Sequence, residues 1–340
     1  MDSLTQIVLG AAVGETILGR KIGNKAILWG AIAGTIPDLD VMVKLFTNDI
    51  VTANEMHRGF SHSIIFCVLF APLFGWLLSK LYKKQKATWK DWTKLMFWGL
   101  FTHPILDAFT TWGTQLFWPL NYKVSFKNIF VIDPLYTIPF LFFLVVAMCY
   151  KRDNPKRKKF NLLGIYISSG YMLITLLLKW YTYGVFKKSL DNQDITYAEI
   201  QTKPSALNTI LWNANIETKD AYLIGNYSLF DKDKNIEFSE FKKNYHLLND
   251  LEEEKIIKRL IKLTQGWYTL QQADDNNLYF NDLRFGLMGI KPNTEKFVFR
   301  YKLSRNQNGK LIANQENSNP KDIAPLLKEL WNRIWGKESI

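Results

Sequence analysis

Long apolar runs crowd the first half of the chain, and short alternating ones fill the second. Residues 62–82, 92–112 and 132–150 each approach the roughly 20 residues a helix needs to cross bilayer hydrocarbon, and a fourth run covers 162–183. Runs 4–19 and 26–36 are apolar but shorter, joined by Arg20, Lys21, Gly23, Asn24 and Lys25, so they form either a tilted spanning pair or a re-entrant hairpin. A cleaved leader does not fit, because Asp2 precedes the first run, the basic residues follow it and Glu15 interrupts it. From Phe186 onward the pattern changes to strand-like runs at 208–216, 221–230, 267–272, 278–285 and 296–303, with amphipathic helices at 250–264 and 323–335. The pattern therefore predicts an all-α polytopic membrane domain of about 4 to 6 transmembrane helices over residues 1–185. A soluble α+β domain is expected over 186–340.

Composition alone hides this division. The 340 residues are 48% hydrophobic and 22% charged, and the mean hydropathy of -0.10 looks soluble because it averages two unlike halves. Such a hydrophobic share excludes a disordered chain, and two cysteines exclude a disulfide-built miniprotein. Cys67 and Cys149 both fall in apolar runs, as core or lipid-facing thiols. Residues 1–185 hold 20 Lys and Arg against 10 Asp and Glu, whereas the remainder is nearly balanced at 23 against 21. Fifteen of those 20 lie in three clusters, at 20–25, 80–94 and 151–159, which share one side if every segment spans. The positive-inside bias makes that side cytoplasmic. The N-terminus, loops 41–61 and 113–131 and everything after Tyr183 then fall on the extracytoplasmic side. Each cluster adjoins an apolar run, so topology explains it and no nucleic-acid partner is needed.

Three of the four histidines, His57, His62 and His103, lie in the membrane half. Ionisable groups are costly in hydrocarbon, which makes each a functional candidate. His103 and Asp107 are one helical turn apart on one face, where they either share a metal ion or simply hydrogen-bond to each other. Pro104 between them removes a backbone hydrogen bond and gives the helix a place to kink. His57 and His62 sit in HRGFSHS, where Gly59 permits a bend and Ser61 is placed to cap the next helix; alone, an ordinary helix-start turn accounts for them. The planar fork of Arg58 suits a phosphate, or a pairing with Asp49 or Glu55. Asp38 and Asp40 bracket Leu39 after Pro37, which alone reads as a helix-end turn. On the expected topology, however, Asp38, Asp40, His57, His62 and Asp107 gather toward one membrane face, with His103 a turn deeper. Carboxylates with neutral imidazoles suit Zn2+, Mn2+ or Fe2+. Farther on, Asp231, Asp233, Asn235 and Glu237 faintly suggest a calcium loop, but Lys242 stands where the bidentate acid belongs, so a solvated hairpin is expected.

The motifs MDSLTQIVLGAAVGE, PDLD, HRGFSHS, HPILDAFTTWG and IDPLYTIP occur in this order. Over about residues 1–150 they resemble the membrane-bound metal-dependent hydrolase family of the YdjM type. More distantly, the chain is similar to the all-helical zinc-dependent phospholipase C superfamily. The resemblance implies a multi-pass protein of the bacterial inner membrane and a metal-dependent hydrolase activity. Its motifs nominate Asp38, Asp40, His57, His62, His103 and Asp107, with Asp133 of IDP as a further acid. Many relatives have a histidine after the first threonine, where this chain has Gln6, a poorer zinc ligand. Glu15, nine residues from Gln6, faces the other way and is expected to serve packing. The expected site thus has Asp38, His57, His62, His103 and Asp107 as ligands of a divalent metal, Zn2+ by preference. Asp40 or Asp133 stands behind them or acts as general base, and Arg58 holds an anionic group. Phosphoester hydrolysis through a water of lowered pKa is the expected chemistry, with membrane lipids as surroundings and a lipid-linked or phosphorylated substrate. The rival readings are a metal or proton pathway and an anchored binding module without catalysis. A pathway should cross the bilayer, whereas segments 135–150 and 162–174 carry almost no polar groups.

Overall fold

The computed structural model describes residues 1–47, 49–273, 277–289, 296–317 and 323–337. Helix α1 (Ser3–Ile22) starts at Asp2, whose carboxylate accepts from the Thr5 amide. It turns at Gly23, at φ 62°, directly into α2 (Asn24–Thr35). A β-carbon at Gly10 would overlap the Gly30 carbonyl, and one at Gly14 the Ala26 carbonyl, so glycines four apart on each helix let the two backbones touch. Small-residue packing of this kind suits apolar surroundings, where no hydrophobic gain drives helices together. The two N-terminal runs are therefore a tight helical hairpin, and α2 passes into a 3-10 segment, Ile36–Leu45.

After α3 (Ile50–Met56) and a 3-10 turn at Phe60–His62 come α4 (Ile64–Leu81), α5 (Trp89–Asp107), α6 (Pro134–Met148) and α7 (Pro155–Asn192). Ser63 caps α4 by accepting from the Phe66 amide, in place of the expected Ser61. Helix α4 buries Phe66, Cys67, Ala71, Gly75 and Leu78 and leaves Val68, Leu69, Leu73, Trp76 and Leu77 exposed. An outward face this apolar belongs against lipid. Three described segments are long and apolar enough to cross a membrane, Asn24–Leu45, Ile64–Leu81 and Pro155–Asn192, where the sequence pattern counts four to six. Helix α6 is apolar but short. Helices α1 and α5 fall out because they carry polar groups, Gln6, Glu15, His103 and Asp107 among them, which they bury against neighbouring helices. Glu15 meets Arg157 of α7 through two bonds of 2.6 Å, with both side chains buried.

The chain divides into two compact units, one of Met1–Val43, Met56–Leu177 and Ala206–Asn208, the other of Lys44–Glu55, Leu178–Ser205 and Thr209–Ile340. Helix α7 runs unbroken past the residue-185 boundary that composition suggests, because Val185, Phe186 and Leu190 bury into the second unit's own core. There β1 (Glu199–Pro204), β2 (Leu211–Glu217), β3 (Ala221–Ser228) and β4 (Phe238–Lys242) form an antiparallel sheet in sequence order. Trp212, Ile216 and Tyr227 are buried against Phe186. Helix α8 (Lys255–Leu263) buries Ile257, Leu260 and Leu263. It starts five residues later than the pattern predicts, since Asn249 at φ 40° interrupts the preceding 3-10 segment. Strands β5 (Tyr268–Gln272), β6 (Leu278–Leu287), β7 (Phe297–Arg305) and β8 (Leu311–Asn317) make a second antiparallel sheet, and α9 (Ala324–Ile334) follows. In the acidic loop after β3, Asp231 is bound by both terminal nitrogens of Arg333 at 2.6 Å, which ties it to α9.

Candidate metal centre

Four segments of the helical unit deliver the site. The 3-10 segment after α2 carries Asp38 and Asp40, because the chain leaves the α-helix at Pro37. The turn around Gly59 carries His57 and Arg58 on one side and His62 on the other; Arg58 itself adopts φ 59°. Helix α5 runs through Pro104 and presents His103 and Asp107 one turn apart. Helix α1 contributes Gln6, whose Nε2 donates to Asp107 Oδ1 at 3.0 Å, and the Met1 amino group bonds the same oxygen.

Among the described residues, Asp38, His62, His103 and Asp107 form a group whose ligand atoms lie within 4.8 Å of one another. His103 Nδ1 must donate to the Gly34 carbonyl, at 2.5 Å, so its lone pair is on Nε2. His62 Nδ1 faces Asp40 Oδ2 at 3.3 Å, and its Nε2 stands 3.1 Å from that of His103. From these two nitrogens Asp38 Oδ1 lies at 3.5 and 3.3 Å, and Asp107 Oδ2 at 3.3 and 3.5 Å. A tetrahedral zinc ion with bonds of about 2.0 to 2.1 Å needs ligand atoms about 3.3 to 3.4 Å apart. Asp107 Oδ2 is buried and accepts no hydrogen bond from a described residue, although Arg58 Nε stands 3.0 Å away in poor alignment. An unsatisfied buried carboxylate oxygen beside two imidazole nitrogens that face each other is an unfavourable arrangement unless a cation lies among them. The donor set fits a divalent metal.

Asp40 forms the layer behind. It accepts from His57 Nδ1 at 2.9 Å, from the Arg58 amide at 2.8 Å and from the Ser61 hydroxyl at 3.3 Å, while facing His62. Metal-binding histidines are commonly oriented by such a carboxylate. His57, expected as a ligand, therefore stands one step outside the group of four and packs against Trp112, with ring centroids 5.5 Å apart. Burial lowers its pKa below the ordinary histidine value, with Arg58 adding to this and Asp40 opposing it. Arg58, expected to hold an anion, is buried and turned inward to Asp107 and to the Thr110 hydroxyl, at 2.7 Å. Asp133 lies outside the group: it caps α6 by accepting from the Leu135 and Tyr136 amides, and Tyr171 donates to its other oxygen. The sequence reading passed over Gly34, because its part is played by a backbone carbonyl. The signal was present in its spacing with Gly10, Gly14 and Gly30.

A helical membrane unit with a buried two-histidine, two-aspartate group at the C-terminal end of α5 defines a membrane protein with a candidate metal centre. The chain belongs to the YdjM inner membrane protein family, whose model matches residues 1–184. It is accordingly a multi-pass protein of the inner membrane. No curated protein and no solved structure matches the chain.

Proposed function

We propose that the protein is a membrane-bound metal-dependent hydrolase acting on phosphoesters. The observation that carries this reading is the convergence of Asp38, His62, His103 and Asp107 on one point at separations suited to a tetrahedral ion. Two imidazoles and two carboxylates favour Zn2+, and Mn2+ or Fe2+ accept the same donors. A divalent cation supplies Lewis-acid chemistry at such a site and brings the pKa of water toward 7. The remaining work falls to the chain itself. Asp40 keeps the proton of His57 on Nδ1 and leaves Nε2 to accept one from the attacking water. Arg58 offsets the buried charge of Asp107. A lipid-linked phosphate is the preferred substrate, since the site belongs to the membrane unit and a headgroup reaches it without leaving the bilayer.

The test is to purify the protein in detergent, measure bound metal, and assay generic phosphodiesters and phosphomonoesters. His103→Ala should lose both metal and activity, and His57→Ala should keep metal and lose activity. Equal metal in wild type and His103→Ala removes the site. Metal loss without hydrolysis of any ester by the wild type returns the protein to the transport reading.

A further inference from the structure

The chain leaves the helical unit after Val43 and rejoins it at Met56; the segment between, Lys44–Glu55, belongs to the second unit. This excursion is placed between the two halves of the metal centre. Asp38 and Asp40 come just before it, and His57 and Arg58 just after. Its base is closed within the helical unit by Asp40, which accepts from both His57 Nδ1 and the Arg58 amide.

Its tip is gripped within the second unit. Arg259 of α8 reaches three residues of the strap: Nη1 donates to Asp49 at 2.8 Å, Nη2 to the Thr52 hydroxyl at 2.6 Å and to Glu55 at 2.7 Å, and Nε to Glu55 at 3.1 Å. Asn54, also buried, donates to the Tyr301 hydroxyl and to Gln315 Oε1, each at 3.1 Å. Helix α3 has seven residues, far fewer than the dozen or more an isolated helix needs to persist, so these ties hold it in shape. Arg259 spans both ends of α3 with one fork, and a planar guanidinium keeps such a geometry where a point charge does not.

From this placement we infer that Arg259 is a positioning residue for the metal centre: by fixing Asp49–Glu55 it sets where His57 and Arg58, the next residues but one along the chain, stand. Glu55 is two residues from His57, so a displacement at the tip reaches His57 through two peptide units. It reaches the ligands through Asp40, which faces His62, and through Arg58, which pairs with Asp107. The inference rests on the metal reading for one of its two readouts only.

The experiment compares full-length wild type, Arg259→Ala, Arg259→Lys and the exchange Arg259→Glu with Glu55→Arg, in detergent. Amide hydrogen exchange is followed over 49–62, and zinc affinity is measured by competition. Arg259→Ala should speed exchange at least tenfold across 49–62, including His57 to His62, and weaken zinc at least tenfold, with α1, α2 and the two sheets as protected as in wild type. Arg259→Lys should restore little, and the charge exchange should recover much of both readouts. If Arg259→Ala unfolds the C-terminal sheets, Asp49→Asn with Glu55→Gln replaces it, with the same pattern expected. Faster exchange confined to 49–55, with 57–62 and zinc affinity unchanged, overturns the inference and leaves a local tie. A wild type that binds no zinc overturns the metal reading instead, and exchange at 57–62 still decides this one.

Discussion

Asp40 holds two imidazoles at once, and its removal should be felt by a metal it does not touch. Asp40→Asn keeps the shape but loses the charge that fixes the tautomers of His57 and His62, so metal affinity should fall about 10–100-fold, measured by chelator competition. Asp133→Ala should leave that affinity unchanged and cost about 1 kcal/mol of stability, the usual loss for a helix cap. Glu15 and Arg157 make a sharper case, because both are buried and bonded in parallel. Glu15→Gln leaves an uncompensated guanidinium and should cost about 3–5 kcal/mol in detergent unfolding, whereas Glu15→Leu with Arg157→Leu should recover most of it. At this scale the ligand types were legible in the sequence: a spacing of four from His103 to Asp107 dictates one helix face, and PDLD supplies oxygen donors. The place of His57 was not, since it depends on a left-handed turn at Arg58 that directs His57 to Asp40 and the guanidinium to Asp107.

The contact between α1 and α2 links element packing to the site, for the same face that brings Gly10 against Gly30 places the Gly34 carbonyl on His103. Gly30→Val should therefore lower both thermal stability and metal affinity. Gly170 in α7 has no neighbour within 4 Å of a β-carbon, and Gly170→Ala should be neutral or stabilising by up to about 1 kcal/mol. The start of α3 carries a pH signature. Burial raises the Asp49 carboxyl, but the Thr52 hydroxyl, Arg259 and the Thr52 amide outweigh it and hold the pKa at about 2. A carboxyl depressed in the folded state stabilises above its unfolded value near 3.9 and loses that contribution as pH falls through the folded one. The difference in strap protection between wild type and Asp49→Asn should thus be constant from pH 7 to about 4 and vanish toward pH 2. Long apolar helices were legible by period and length; β1, β4 and β8 were not. Glu199–Pro204 and Phe238–Lys242 alternate weakly and are made strands by pairing with β2 and β3, a tertiary effect that no local window contains.

Across the whole molecule, the three basic clusters turn out to share one end of the helical unit. Lys21 pairs with Asp91 at 2.6 Å, and Arg152 donates to the Lys21 carbonyl at 3.2 Å, joining the α1–α2 turn, the start of α5 and the α6–α7 connection. From there α5, with 19 residues, climbs about 28 Å to Asp107. The metal centre consequently lies at the opposite end of the helical unit. Helix α7 starts beside the same basic end and, with 38 residues, extends about 57 Å, well beyond one bilayer thickness. If the basic end is cytoplasmic, as the charge bias requires, the site opens to the extracytoplasmic leaflet and the strands after α7 lie outside the cytoplasm. In a Cys149→Ser background, Lys234→Cys should then react with an impermeant maleimide on intact cells, and Lys84→Cys only after permeabilisation. The reverse pattern would place the centre at the cytoplasmic leaflet, where any lipid phosphate it meets, and the metal pool that fills it, belong to the other side of the membrane.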